Sequence, residues 1–382
     1  MAGEKQDGIN IKGLLPWLQL KQVPGIGNLL FKRLLDAFGT PEKVLSAPRE
    51  ALARVQGISL SLAGRIRRPG DPTASRREIE NARARGFRIL PLTDPQYPPL
   101  LREIPDPPPL LYVHGCLDSL PWPLAMVGAR KASRYGLDIT RRLAAELAAA
   151  GALIVSGMAR GIDTAAHRAA LDAGGKTVAV LGSGLDQIYP PENRQLFRQI
   201  TRQGAVISEF PLDTRPEPRN FPVRNRIISG MSLGTVVVEA ARRSGSLITA
   251  RLAAEQNREV FAVPGSVRSG LSHGTHHLIH QGAKLVTAAA DIWEEFTHLR
   301  PSPQAKAQPR GSGAEGGAID KTLTKAERQV WALLSPYPIH IDELAQESSL
   351  APGQLAEALL QLELKGLIIQ GAGKMFTKGD SN

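Results

Sequence analysis

The 382-residue chain is too long for one comfortable core, so two or three domains are expected. It carries 47 Lys and Arg against 36 Asp and Glu, a formal charge of +11, which favours a polyanionic partner, nucleic acid or an anionic surface. Its single cysteine, Cys116, excludes an intrachain disulfide framework, no apolar run reaches the roughly 18 residues of a membrane span, and the first apolar patch is short, broken and preceded by acids, so the chain reads as cytoplasmic.

In chain order, "VPGIGNLLFKRLLDAFG" and "VQGISLSLAGRI" predict two helix-hairpin-helix units, with Gly25-Ile26-Gly27 and Gly57 in the hairpins. Such hairpins can turn amides toward a DNA backbone, and Lys21, Lys32 and Arg33 would assist the first. The second has only Arg65 nearby, which favours an auxiliary or structural module. The turn-rich "RRPGDPTAS" ends this all-α, SAM-like module at residue 72. A proline-rich connector, Pro105 to Pro123, precedes the next strand signal. "RPSPQAKAQPRGSGAEGGA" has tether composition. The expected domains are therefore 1–72, 73–299 and 319–382, with a linker at 300–318.

The middle alternates apolar runs with helical patterns. "LAMVGA", "ALIVSG", "KTVAVLG", "AVISEF", "GTVVVEA" and "EVFAVPG" read as strands covered on both faces. "LDITRRLAAELAAAG", "DTAAHRAALDAG", "ENRQLFRQITRQG" and "LITARLAAEQN" read as the helices between them. The expected fold class is α/β, a doubly wound parallel sheet with right-handed crossovers. Ligands bind such sheets beyond the carboxyl ends of the strands, here Gly128, Gly157, Gly182, Glu209, Glu239 and Gly265.

"GGKT" is not a P-loop, because its lysine opens a strand instead of a helix, and "LGSGLD" lacks the third glycine of a dinucleotide fingerprint. What remains is a set of Gly- and Ser-rich exits with basic residues. The first holds Arg130, Lys131, Ser133 and Arg134; the second Gly157, Arg160 and Gly161, with Asp163 as an N-cap; another Gly245, Ser246 and Thr249 at a helix start. Unpaired helix-start amides and arginines together suit phosphate. "NFPVRNRIISG" belongs to the same edge. Pro222 suits a first helical turn, placing Phe221 just outside it and Arg224, Asn225 and Arg226 within the first two turns. A ring, forked guanidiniums and exposed amides are the apparatus of single-stranded nucleic acid binding. The structural alternative has Phe221 stapling the helix to the core and the arginines pairing with Glu209 or Glu239.

His273, His276, His277 and His280 share one helix face, with the helix expected to begin after His273. No acid or cysteine lies among them, so a partly exposed face is favoured over zinc and no metal is assigned. Asp163 and His167, one turn apart, read as a cap and a packed ring in preference to an acid–base pair. "TKAERQVWALL", "HIDELAQES", "APGQLAEALLQLELKG" and "LIIQGAGKMFT" read as a winged helix. Its third helix offers Gln354, Glu357, Gln361, Glu363 and Lys365, whose acids favour a protein contact over DNA phosphate.

"VGARKASRYG", "SGMARGIDTAAH", "GGKTVAVLGSGLDQIYPPEN", "FPVRNRIISG", "VVVEAARRSGSLITA" and "VFAVPGS" occur in that order. Together they resemble the bacterial DNA-processing protein A (DprA, also Smf) family, from about Leu14 to Phe296, with a looser match from Leu323 to Thr377. The resemblance implies an extended Rossmann-like domain that binds single-stranded DNA, forms homodimers and loads the RecA recombinase in natural transformation. It implies no catalysis and no cofactor. By the same resemblance Arg130, Lys176, Phe221, Arg224 and Arg226 line the DNA pocket. "SHGTHHLIHQGA" departs from the pattern in its histidines, and no role is carried over there. An enzyme alternative is a Rossmann-type nucleoside-monophosphate phosphoribohydrolase, whose hallmark "PGGxGTxxE" is only half met by "SGMSLGTVVVEA" with Glu239 shifted. A third alternative is an interaction scaffold.

Overall fold

The computed structural model describes residues 11–117, 121–296, 323–335, 338–371 and 373–378. The 300–318 linker lies outside them. Two compact units are formed, the first spanning the described residues to Glu295 apart from Ser133–Tyr135. No helix among the described residues is long and apolar enough to cross a membrane.

The first unit opens with α1 (Ile11–Lys21), α2 (Asn28–Phe38), α3 (Pro41–Ser46), α4 (Arg49–Ala53), α5 (Leu60–Ile66) and α6 (Pro72–Ala84). The two hairpins turn where expected, at Gly25 and Gly57, whose φ values of 97° and 92° lie where a side chain is strained. Thr40 and Ser59 accept backbone N–H groups at the starts of α3 and α5. Trp17 stacks on Phe31 with centroids 5.6 Å apart, and Leu34, Leu52 and Ile66 are wholly buried. The three cations named for the first hairpin are engaged inside the protein. Lys21 donates to Asn28, Lys32 to the Ile104 carbonyl and Arg33 to the Gln56 carbonyl. That agrees with a structural module.

The sheet is built from β1 (Arg88–Pro91), α7 (Pro99–Glu103), β2 (Leu110–Gly115), β3 (Pro123–Val127), α8 (Arg134–Ala149), β4 (Leu153–Ser156), α9 (Ile162–Asp172), β5 (Thr177–Val180), α10 (Arg194–Gln203) and β6 (Ala205–Ser208). It continues through α11 (Asn220–Gly230), β7 (Gly234–Val237), α12 (Gly245–Glu255), β8 (Glu259–Ala262), α13 (His273–His280), β9 (Lys284–Leu285) and α14 (Ala289–Glu295). The strand order is β1-β2-β6-β5-β4-β3-β7-β8-β9. From β6 to β9 every pairing is parallel, and β3 to β7 are buried at every residue, as both-face coverage by helices requires.

The expectation of a wholly parallel sheet is corrected at one edge. β2 pairs antiparallel with β6, Tyr112 opposite Ser208, and β1 pairs antiparallel with β2. The proline-rich stretch before β2 is accordingly not a free connector. Pro108 and Pro109 have no N–H to give, but their carbonyls accept from Tyr97 Oη at 2.8 Å and Leu92 N at 2.9 Å. The helical module and the sheet share one apolar core, running from Trp17 and Phe31 to Val127 and Ala262.

β3 lies between β4 and β7, so successive crossovers leave it in opposite directions. The loops after β3 and β7 therefore part and open a crevice at the carboxyl ends of those strands.

The second unit contains α15 (Lys325–Leu333), β10 (Ile339–His340), α16 (Ile341–Ser348), α17 (Pro352–Leu364), β11 (Ile368–Gly371) and β12 (Met375–Lys378). Its antiparallel sheet, β10-β12-β11, and three helices around Val330, Leu344, Leu359 and Phe376 form the expected winged helix. Thr324 and Glu327 close a capping box at α15. On α17 the acids Glu357 and Glu363 are exposed, and Lys365, just beyond it, is engaged by Glu327 at 2.7 Å.

Candidate nucleic-acid interface

A cleft of about 300 Å³ occupies that crevice, lined among others by Gly128, Arg130, Phe221, Arg224, Asn225 and Thr249. Its walls come from four loops. The β3–α8 loop passes so close to α9 that a Cβ on Gly128 would stand 2.6 Å from Ile162. Gly161, at φ 73°, would press a Cβ to 2.3 Å from the Ala129 carbonyl oxygen. Both glycines bring the first two loops into contact behind Arg130.

Arg224 lies in the floor and is only 3% exposed. Its Nη1 donates to the Gly157 carbonyl at 2.8 Å and to the Val180 carbonyl, tying the ends of β4 and β5 together. Burial pushes its pKa down to about 10, against the pull of Asp163. Asp163 is buried too and accepts the N–H groups of Gly157 at 3.1 Å and Ala159 at 3.3 Å. Burial raises its pKa, which Arg224 opposes. Asp163 is thus not the N-cap expected of it. Gly161 holds the cap position, and the carboxylate turns back to order the loop before it. His167 is packed, as expected, with Nδ1 2.7 Å from Thr177 Oγ1. Since that hydroxyl donates to the Ile154 carbonyl, the ring N–H is on Nδ1.

Phe221 is half-buried over Gly182, where a Cβ would stand 2.9 Å from its ring. It sits inside the first turn of α11, because the helix begins one residue earlier, at Asn220. The Arg130 and Arg224 guanidinium carbons lie 5.2 and 5.9 Å from its centroid, within cation–π range. Asn225 donates to the Gly245 carbonyl at 3.4 Å, joining α11 to the start of α12. There Ser244 caps the helix, its Oγ 2.7 Å from Ser246 Oγ. Gly245, Ser246 and Thr249 all line the cleft.

Two residues expected in this pocket stand elsewhere. Arg226 turns away from the cleft and pairs with Glu209, and its Nε lies 3.2 Å from Asp106. Both partners of the Arg226–Glu209 pair are buried, so here the structural alternative holds. Lys176 is exposed just ahead of β5, at the amino end of a parallel strand and hence on the opposite edge of the sheet. Arg160 follows Ala159, a cleft residue, and is exposed in an ion pair with Glu192. Ser133 is half-buried immediately before α8. One residue escaped the sequence reading. Tyr189, in the loop after β5, is 39% exposed with its ring 5.8 Å from that of Phe221. Its signal was an aromatic in a strand-exit loop of the same edge.

Glu239, the glutamate of the hydrolase alternative, is 1% exposed and packs on Gly136 without lining the cleft. α13 begins at His273 itself, and the His276 ring donates from Nε2 to the Gly265 carbonyl at 3.0 Å. Among the described residues no group of three or more His, Cys, Asp or Glu is placed to hold a metal ion.

Comparison with known proteins gives three matching family models. DNA recombination-mediator protein A covers residues 88–297, the DprA winged helix domain 315–374 and the SAM-like helix-hairpin-helix tandem 18–68. Protein Smf of Synechocystis sp. is 36% identical over 95% of this chain and 98% of its own length. The DNA processing protein DprA of Streptococcus pneumoniae is 48% identical over 55% of this chain and 74% of its own. The X-ray structure of the Streptococcus pneumoniae protein aligns with TM-score 0.65 and 38% identity, covering 73% of this chain and 97% of that one. A Helicobacter pylori DNA processing protein A, described for its single-stranded DNA binding mode, aligns with TM-score 0.51 and 30% identity, covering 56% of this chain and 97% of that one.

Proposed function

The chain belongs to the DNA recombination-mediator protein A family of DNA-processing proteins, and on that premise we propose that its cleft grips single-stranded DNA by charge and stacking, without reading sequence. The observation that carries the proposal is the Phe221 ring at the cleft, flanked by Arg130 and bordered by the start of α12. A base on that ring and a phosphate on Arg130 or at the helix start use what every nucleotide has in common. The Helicobacter pylori relative is described as a single-stranded DNA binder, in line with this reading. The held strand is then passed to the RecA recombinase in natural transformation, by a cytoplasmic homodimer that needs no cofactor and performs no catalysis.

The test is titration of labelled oligo-dT against the full chain at moderate salt. Phe221→Ala should weaken binding by roughly 1–3 kcal/mol, whatever the base composition. A wild-type chain that ignores single strands in dilute buffer refutes the proposal. Equal affinities for the two proteins remove Phe221 from it.

A further inference from the structure

Next to Phe221 stands an exposed ring, and close enough to that ring to feel it electrostatically is an exposed ion pair. Tyr189 is 39% exposed, so it is not a core side chain. Its loop is nevertheless fixed. Asn193 donates from Nδ2 to the Met158 carbonyl and to Thr164 Oγ1, both at 2.9 Å, and Ser183 donates to the Gln187 carbonyl at 2.7 Å. The Asn193 bonds fasten the loop that carries Tyr189 and Glu192 to the loop that carries Arg160 and to the start of α9, and the Ser183 bond closes a turn within the first loop.

Arg160 and Glu192 have side chains 59% and 50% exposed. Their hydrogen bond raises the pKa of the first and lowers that of the second, so each stabilises the charged form of the other. Exposed pairs of this kind contribute little to folding. A carboxylate beside an anion cleft also repels the ligand. Both oddities are resolved if the carboxylate stands where a phosphate goes, since guanidinium holds the two groups in the same way.

We propose that Tyr189 and Arg160 form a second nucleotide position beside Phe221, one base stacking on Tyr189 and its phosphate resting on Arg160, with the Glu192 carboxylate filling that phosphate position in the free protein. The inference rests on the single-strand reading of the cleft. The ring centroids are 5.8 Å apart and tilted by 48°. A stacked strand rises about 3.4 Å per nucleotide, so a stretched one can offer neighbouring bases to the two rings. Arg160 adjoins Ala159 in the cleft wall, within reach of the phosphate between them. Glu192 is an internal competitor that DNA must displace.

The experiment measures the affinity of the full chain for labelled oligo-dT at fixed salt. Tyr189→Ala should weaken binding about 5- to 150-fold, and Tyr189→Phe, which keeps the ring, should restore most of that loss. In a Phe221→Ala background the Tyr189→Ala loss should shrink, since the rings touch, but not vanish, because they hold different bases. Glu192→Gln should tighten binding about 1.5- to 5-fold, a gain that disappears when Arg160 is alanine. The inference is overturned if Tyr189→Ala binds as wild type, if its effect vanishes once Phe221 is gone, or if Glu192→Gln weakens binding. A wild-type chain that binds no oligo-dT instead refutes the underlying reading of the cleft.

Discussion

Replacing Arg226 by Met separates the two roles that an arginine in "NFPVRNR" could have. The Arg226 and Glu209 side chains are 7% and 6% exposed, and the Glu209 Oε2 that accepts from Arg226 also accepts from Asn28 Nδ2 at 3.0 Å. At an effective dielectric of about 20, opposite charges about 4 Å apart attract by about 4 kcal/mol. Met preserves most of the volume but leaves Glu209 buried with Asn28 as its remaining hydrogen-bond donor and Lys21 as a neighbouring cation, and Oε1 already lacks a partner. Breaking a buried pair from one side costs about 3–5 kcal/mol. The second carboxylate, Asp106, is 42% exposed and loses little. Urea unfolding at neutral pH should therefore show Arg226→Met destabilised by about 3–5 kcal/mol, with Arg226→Met/Glu209→Gln recovering most of it because no charge is stranded. The double variant should bind oligo-dT with the wild-type salt slope, whereas loss of one phosphate contact lowers the slope by about 0.7. A single variant as stable as wild type, with a slope reduced by that amount, would refute the reasoning and return Arg226 to the DNA.

Lys176→Ala should leave both the affinity for oligo-dT and its salt slope unchanged, whereas Arg130→Ala should lower the slope by about 0.7 if Arg130 holds one phosphate. His167 gives a pH dependence. Burial, then Arg224, holds its pKa down at about 3, so below about pH 6.5 the unfolded chain takes up a proton that the folded chain refuses. From pH 6.5 to 5 stability should fall by about 2 kcal/mol from this group, a slope that denaturant titrations should find missing in His167→Gln. The same comparison removes the contribution of Asp163, whose burial-raised pKa tilts stability the opposite way.

β3 to β8 were legible because each holds a short apolar run leading to a Gly or a polar residue, and that pattern is local; the two-residue β9 offers no such run. β1 and β2 were not, because their pairing depends on partners such as Ser208, far along the chain, and their prolines look like a linker until their carbonyls are accounted for. The arginines of α11 were half legible. Positions 224 and 226 are two residues apart, about 200° around a helix, so they cannot share a face. Helical geometry alone separates them, and only the choice of Glu209 over Glu239 as partner needed the tertiary structure. Lys176 was legible outright, since a residue before a parallel strand lies at the edge opposite the residues after it, and the family resemblance overrode that argument. The same reasoning explains the division of labour in the cleft. Arg224 and Asp163 are buried in the cleft floor, and their bonds to backbone hold the ends of β4 and β5 and the start of α9 in one arrangement. In the proposed mode of binding, the exposed contacts with DNA fall to the rim, to Arg130, Phe221, Tyr189 and Arg160. A rim with two guanidiniums and two rings should give a shallow salt dependence and a strong dependence on the bases being present. Oligo-dT and an abasic strand of equal length should therefore differ far more in affinity than do two salt concentrations a factor of two apart.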